Sequence, residues 1–326
     1  MTYCPKVAIL ARPQFRSARF LAESLRRMLG RLGVRADIFL DGLEWLTTTG
    51  SGPSGMRQRL RALRAQRAIK SLAGYDLFIV SDTVDVFREE VDFSLLRRFG
   101  KPILMYEVFF VPGAKYWLER LPHAAFDKFD GYLSVSSIHG CAPVCDKPLD
   151  IIGLDLQPRH PYLARKPTFS ILVDFPRKGY EEQREIQLEA LRKLDIEPVL
   201  MEGEYTFDEI EHVYRAVSAS FVSFPEAFGV PIVQLQQYGA YIFSPERMWV
   251  MRHALLDPGS VFFEVGQPAF TENFCFYEGL DDLCEQLATL RQIYDPMTVT
   301  SRFIAQQPTY SQGDPHALWS ALQRWL

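Results

Sequence analysis

Residues 216–245, AVSASFVSFPEAFGVPIVQLQQYGAYIFSP, constrain the fold more than any other stretch of the chain. Residues 219–224 are small, β-branched and aromatic and end at Pro225, the composition of a short strand buried on both faces. A turn follows, in which Glu226 precedes Ala227, Phe228, Gly229 and Val230. Pro231 then stands where a helix begins, because the first helical position tolerates a missing N–H and a fixed φ. Gly239 closes that helix and residues 240–243 form the next strand. Strand, loop, helix and strand within one short segment make a parallel βαβ unit. Its loop lies at the carboxyl end of a strand and faces a helix N-terminus, where open α/β sheets bind ligands and free backbone N–H groups favour phosphate. Glu226, beside that loop, is placed to accept hydrogen bonds from a sugar hydroxyl.

The same alternation recurs along the chain. Residues 6–11 read as an apolar strand and 34–40 as a second. Between them, Phe20, Leu21, Leu25, Met28, Leu29 and Leu32 keep the helical period over 17–32, stopped by Gly33. The loop after the first strand, Arg12-Pro13-Gln14-Phe15, has no glycine and so offers no phosphate cradle. Further strands are predicted at 75–80, 102–105, 131–135, 168–175, 198–201 and 261–265, and helices at 93–99, 116–121, 181–194, 207–216, 247–256, 280–293 and 316–326. This pattern over 326 residues predicts an α/β protein of two Rossmann-like domains with parallel sheets. The expected domains are 1–156 and 157–310, joined near Pro158-Arg159-His160-Pro161 and followed by a terminal segment, 311–326.

Charge is unevenly spread. Residues 1–150 hold 22 Lys plus Arg against 16 Asp plus Glu, whereas 151–326 hold 14 against 24. The basic first half suits an anionic acceptor or membrane surface. Its most basic segment, 57–70, carries Arg57, Arg59, Arg61, Arg64, Arg67 and Lys70. Two readings stay open: Arg57, Arg61 and Arg64 bind anionic lipid or a phosphate-bearing acceptor, or the helix is solvated and packed by Leu60, Leu63 and Ile69. No nucleic-acid partner is expected. No apolar run approaches the roughly 20 residues that span a bilayer, and the N-terminus lacks a signal-peptide layout. A cytoplasmic protein is expected, with peripheral attachment to the inner membrane face as the option raised by the arginines. Five cysteines without framework spacing fit reduced thiols. Cys141 and Cys145, with His139 nearby, lack a second pair at metal-ligand spacing. Asp82, Asp85 and Glu107 fall near strand ends, where an interdomain cleft would expose them; capping or turn duty is the alternative.

The residues from Ser223 to Gly239 resemble the donor-site signature of GT-B glycosyltransferases, chiefly the large retaining group (family 4, group 1), whose motif places two glutamates eight positions apart. The resemblance implies a nucleotide-diphosphate sugar donor. Glu226 matches the glutamate that holds the transferring sugar. Ser223, Ala227, Phe228, Gly229 and Val230 match the donor loop, the last three being the turn whose N–H groups hold the diphosphate. The second glutamate, which holds the ribose, falls on Gln234. An amide lacks the charge that makes a carboxylate a strong acceptor, and a donor without a 2′-hydroxyl, such as a thymidine nucleotide, is one reading of the departure. Residues 150–160, DIIGLDLQPRH, resemble the segment with which the family leaves its first domain. In Pro176-Arg177-Lys178-Gly179, Lys178 matches the family's diphosphate-binding lysine; Arg177 lies beside it, whereas the family's arginine usually precedes the lysine by several residues. In this architecture the terminal helix often crosses back to the first domain, and the same is expected here.

The implied activity is transfer of a sugar to an acceptor hydroxyl in polysaccharide, lipid-linked glycan or glycoconjugate synthesis, with a glycan, lipid-linked or small-molecule acceptor. Lys178, Arg177 and the helix start near Gly229 would stabilise the leaving diphosphate. No metal or cofactor is expected: the Asp82–Asp85 spacing is too wide for an Asp-x-Asp motif, and Asp281-Asp282 falls in a helix. Retention is implied by the resemblance; inversion would need a general base, for which Asp82 and Glu107 are the candidates. The predicted catalytic set is therefore Glu226, Lys178, Asp82 and Glu107. A sugar-nucleotide epimerase of the same fold and a noncatalytic nucleotide-sugar-binding or scaffold protein are the competing readings.

Overall fold

The computed structural model describes residues 4–12, 16–41, 46, 67–81, 91–107, 123–135, 146–157, 162–203, 205–224, 229–245 and 271–326. The chain divides into two compact units, Met1–Asp155 with Gln312–Leu326, and Leu156–Ser311. Each is built on its own parallel sheet.

The first unit carries β1 (Lys6–Ala11), β2 (Arg35–Phe39), β3 (Leu77–Ser81), β4 (Ile103–Glu107), β5 (Gly131–Ser134) and β6 (Leu149–Ile151) in the order β2-β1-β3-β4-β5-β6. Strands β3 and β4 are buried along their whole length, which explains why they read as unbroken apolar runs rather than alternating ones. One face of the sheet presents Ala8, Leu10, Phe78, Val80, Ile103, Met105 and Tyr132 to a core completed by Leu72, Leu96, Phe126 and Phe129. Helix α1 (Arg16–Arg31) packs on β1, β3 and β4, and its buried positions Leu21, Leu25, Met28 and Leu29 follow the predicted stripe. A single helical turn, α2 (Ser94–Arg97), precedes β4.

The second unit carries β7 (Ile171–Val173), β8 (Pro198–Leu200), β9 (Ala219–Phe221), β10 (Tyr241–Pro245) and β11 (Phe274–Tyr277) in the order β11-β10-β9-β7-β8. Its helices are α3 (Glu181–Lys193), α4 (Phe207–Ala216), α5 (Val230–Gln237), α6 (Leu280–Ile293) and α7 (Pro296–Gln306). Ile171, Val173, Ala219, Phe221 and Phe243 point to one face and share a core with Leu191 of α3 and Leu283, Leu287 and Leu290 of α6. Helix α5 packs instead with α4 and α7. The chain thus leaves β7 toward one partner helix set and leaves β9 toward the other, which makes the gap between these neighbouring strands the topological switch point of the sheet.

Local signals set the helix ends. Thr206 caps α4 in a reciprocal box with Glu209. Asp295 accepts from the Met297 and Thr298 amides at 3.2 and 3.0 Å, and Pro296 occupies the first position of α7. Gly239 ends α5 at φ +82°, and a Cβ there would lie 2.7 Å from the Pro296 carbonyl oxygen, so only glycine fits. Strand β7 is shorter than the predicted 168–175 at both ends. The elements predicted at 116–121, 247–256 and 261–265 lie outside the described residues.

The terminal helix α8 (Pro315–Gln323) packs on α1 and β6 of the first unit, capped by Asp314, which accepts from Ala317 N at 2.9 Å. Trp325 seats against Gly131, and Arg324 donates to Asp150 at 2.8 Å. Where the chain passes to the second unit and returns, Asp155 and Gln312 form an antiparallel bridge. Its fully buried Asp155 carboxylate pairs with Arg31 at 2.8 Å and Arg27 at 3.5 Å, and its N–H donates to Ser24 Oγ at 2.8 Å. No helix among the described residues is long and apolar enough to cross a membrane.

Candidate functional site

At the carboxyl ends of β7 and β9 the second unit encloses a cavity of about 240 Å³. The strand face opposite the α3–α6 core supplies Leu172, Ser220 and Val222; α4 supplies Ile210 and Tyr214; α5 supplies Pro231, Ile232 and Leu235. Asp174, Phe175 and Arg177 from the segment after β7, Met201 after β8, and Phe224 after β9 complete it. Short strands followed at once by turns leave these side chains at the sheet edge.

The segment after β7 is a tight turn. Tyr180 N–H donates to Arg177 O at 3.1 Å, and Gly179 takes φ +88° at the third turn position. A type II turn demands a positive φ there, which accounts for a glycine directly after Lys178. Gly179 N–H donates to Glu181 Oε2 at 2.7 Å, joining the turn to the first residue of α3. Lys178 is exposed and makes no hydrogen bond or ion pair among the described residues. The Arg177 guanidinium lies 4.5 Å above the centroid of the Phe224 ring. This cation–π contact brings the predicted cationic turn against the start of the predicted donor loop.

Asp174 is the ionisable group inside the cavity wall that sequence reasoning missed. Burial pushes its carboxyl above the usual carboxylate range, while the Phe175 N–H, Arg177 and Arg184 pull it back. One carboxylate oxygen accepts from Phe175 N at 2.7 Å; among the described residues the other oxygen accepts no hydrogen bond. Burial also raises the Tyr214 hydroxyl, and the Asp174 charge adds to the rise. The signal in the sequence was an acidic residue at the end of an apolar strand, directly before Phe-Pro-Arg-Lys-Gly.

Ser223, the first residue of the predicted donor loop, is fixed by a buried hydrogen-bond set. Ser223 Oγ donates to Gln187 Oε1 at 2.6 Å, and Gln187 Nε2 donates to Val222 O at 3.0 Å and to Tyr277 Oη at 2.9 Å. Gln183 Nε2 reaches the same Tyr277 oxygen at 2.6 Å. Ser223 is therefore 2 % exposed, with its hydroxyl proton committed to Gln187. Gly229, at φ +60°, caps α5. Of the first helical positions, Pro231 has no N–H and Ile232 N–H turns to Gly229 O at 2.9 Å, which leaves the Val230 amide as the group not used by the helix. Gln234 is half-buried on α5 and does not line the cavity.

The structure thus brings Arg177, Ser223, Gly229 and Val230 to the same end of one sheet, with Lys178 on the adjoining turn. Glu226, Ala227 and Phe228 lie outside the described residues, as do Asp82, Asp85, Arg57, Arg61 and Arg64. Glu107 ends β4 of the first unit and is only 2 % exposed, in keeping with the buried alternative of its two readings. Among the described residues no three His, Cys, Asp or Glu side chains gather to hold a metal ion.

No protein-family model matches the sequence, and no curated protein sequence matches it. Solved structures do match. A protein assigned as a UDP-N-acetylglucosamine 2-epimerase from Listeria monocytogenes superposes with a TM-score of 0.56 at 13 % identity, over 98 % of this chain and 95 % of that one. A sucrose-phosphate synthase from Thermosynechococcus elongatus gives a TM-score of 0.51 at 13 % identity, over 98 % of each chain. At this identity the likeness shows the fold alone: the chain is an α/β protein of the GT-B fold.

Proposed function

We propose that the protein is a glycosyltransferase whose second unit holds a nucleotide-diphosphate sugar. The observation that carries this reading is the contact of Arg177 with Phe224 at the mouth of the switch-point cavity, which sets a cationic turn and a helix start side by side where an anionic ligand is favoured. In the reaction the bond from the sugar C1 to the diphosphate oxygen breaks, and a bond from C1 to the acceptor oxygen forms. The acceptor's proton passes to the departing diphosphate, and the electron pair of the broken bond stays on that phosphate.

Lys178 and Arg177 neutralise the growing charge on the leaving group, and the Val230 amide donates to it, with no metal or cofactor taking part. Glu226 holds the sugar hydroxyls, and Ala227 and Phe228 belong to the loop that the resemblance assigns to the donor. Gln234 gives the ribose a neutral partner. Retention needs no base from the protein and relies on the departing phosphate. The first unit takes the acceptor; its formal charge over the residues of that unit is positive, which suits an acidic glycan, a lipid-linked phosphate or an anionic membrane surface. The products feed glycan or glycoconjugate synthesis.

A second reading, epimerisation of the sugar nucleotide, is favoured by the structural match to the protein assigned as a 2-epimerase. A panel of nucleotide sugars separates the two. Free nucleoside diphosphate released only when acceptor is present supports transfer, and an interconverted donor supports epimerisation. Binding without turnover supports a noncatalytic role. Glu226→Ala is expected to abolish transfer while leaving nucleoside diphosphate affinity nearly unchanged; unaltered turnover removes Glu226 from the site.

A further inference from the structure

Resting on the reading of the second unit as the nucleotide-sugar site, we propose that the switch-point cavity takes the base of the donor and that Asp174 selects guanine. The cavity is about 240 Å³, above the ~150 Å³ that admits a benzene ring, so a bicyclic base has room. Its walls are apolar and aromatic, with Met201, Ile210 and Leu235 against the rings of Phe175, Tyr214 and Phe224. Such walls receive a flat heterocycle by stacking and dispersion. The choice among bases then falls to the few polar groups.

The charged group in the wall, apart from Arg177 at the mouth, is the Asp174 carboxylate. An ionised carboxylate only accepts hydrogen bonds. Phe175 N–H occupies one oxygen at 2.7 Å, and among the described residues the second oxygen awaits a donor. A base that fills the cavity covers this half-buried carboxylate and must turn N–H groups toward it, since an acceptor stripped of water and left unmatched is costly. Guanine alone carries two donors side by side, the ring N1–H and the exocyclic amine. Uracil and thymine present a single N–H flanked by carbonyl oxygens, which the carboxylate repels. Adenine and cytosine set an amine beside an unprotonated ring nitrogen, another acceptor. Sites that match a donor pair in this way reject bases lacking it far more strongly than apolar walls do. Burial, which raises the carboxyl of Asp174, adds to the benefit of bringing donors to it.

Calorimetric titration of the full chain with GDP, UDP, dTDP, ADP and CDP tests the proposal. GDP is expected to bind at least about tenfold more tightly than the others, a difference of about 1.4 kcal/mol. In Asp174→Asn the amide places a donor beside an acceptor. GDP affinity should then fall at least tenfold, and xanthosine diphosphate, which has a carbonyl where guanine has its amine, should gain affinity. A gain for one base cannot arise from damage to the fold. UDP or dTDP binding as tightly as GDP, or Asp174→Asn leaving GDP affinity unchanged, overturns the guanine assignment and leaves the nucleotide-sugar reading intact. No binding of any nucleoside diphosphate overturns both.

Discussion

Gln187 lies inside the second unit, fully buried, and its amide is the hub that holds Val222 and Ser223, where the predicted donor loop begins. Replacing it by Met keeps the length and removes every polar contact. Three hydrogen bonds go: from Ser223 Oγ at 2.6 Å, to Val222 O at 3.0 Å and to Tyr277 Oη at 2.9 Å. Tyr277 retains Gln183 at 2.6 Å, so its loss is made good. The Ser223 hydroxyl and the Val222 carbonyl, both in buried residues, are left unmatched. At about 1–3 kcal/mol for each stranded group, with some relief from rotation of the hydroxyl, Gln187→Met should destabilise the second unit by about 2–4 kcal/mol. Amide hydrogen exchange reads this locally. Exchange of the β7 and β9 amides should accelerate by roughly 30- to 1,000-fold, since each 1.4 kcal/mol is a factor of ten, while β1 and β3 of the first unit keep their rates. An acceleration below about threefold, or one shared equally by both units, would refute the hydrogen-bond argument. Ser223→Ala removes one partner of the same hub and should show a smaller effect in the same direction.

Gly239→Ala is expected to cost about 2–4 kcal/mol, from a left-handed φ on a residue with a Cβ and from overlap with Pro296; a urea midpoint equal to that of the parent would refute it. Asp155→Asn removes the charge from the buried pair with Arg27 and Arg31 and should lower the stability of the first unit by about 1.5–3 kcal/mol, measured by tryptophan fluorescence, because Trp319 and Trp325 both belong to that unit. Lys166 donates to the Arg215 and Tyr238 carbonyls at the ends of α4 and α5, and burial, helped by the Arg215 charge, lowers its ammonium to about 7. Between pH 7 and about 10 the unfolded chain then holds a proton that the folded one has lost, so stability should rise with pH through that window by at most about 1.4 kcal/mol per unit; Lys166→Met should flatten the rise, and parallel pH curves for the two proteins would refute it.

The elements legible in the sequence were those whose own residues decide their state. Strands β1, β3 and β4 are buried on both faces and so appear as apolar runs, and α1 repeats its buried stripe over 16 residues. Helix α5 announced itself through Pro231, which falls in its first turn, and Gly239, whose positive φ ends it. Three elements escaped. Strand β6 carries an aspartate between its two apolar residues and is half-buried throughout, and β11 is half-buried at its middle two positions. Helix α7 contains Thr298, Val299 and Thr300, β-branched residues of low helix propensity, and is held by its Asp295 cap and by burial of Val299 and Phe303.

The candidate site divides along the same line. Its turn chemistry was legible, because Lys178 before Gly179 reflects a local demand for positive φ. The cavity was not, because its walls come from three strand ends and two helices, and no spacing in the sequence records which of those residues meet. Asp174 shows the difference most clearly. Alone it is an acidic residue at a strand end, a common place for one. Only when Met201, Tyr214, Phe224 and Leu235 gather beside it does its half-buried carboxylate become an acceptor in an apolar wall, open to a donor from a ligand. On the proposed reading, discrimination between donors rests on a residue outside the loop motif: the motif residues are assigned to features that all nucleotide sugars share, the diphosphate and the sugar hydroxyls, whereas the cavity wall is assigned to the part in which they differ.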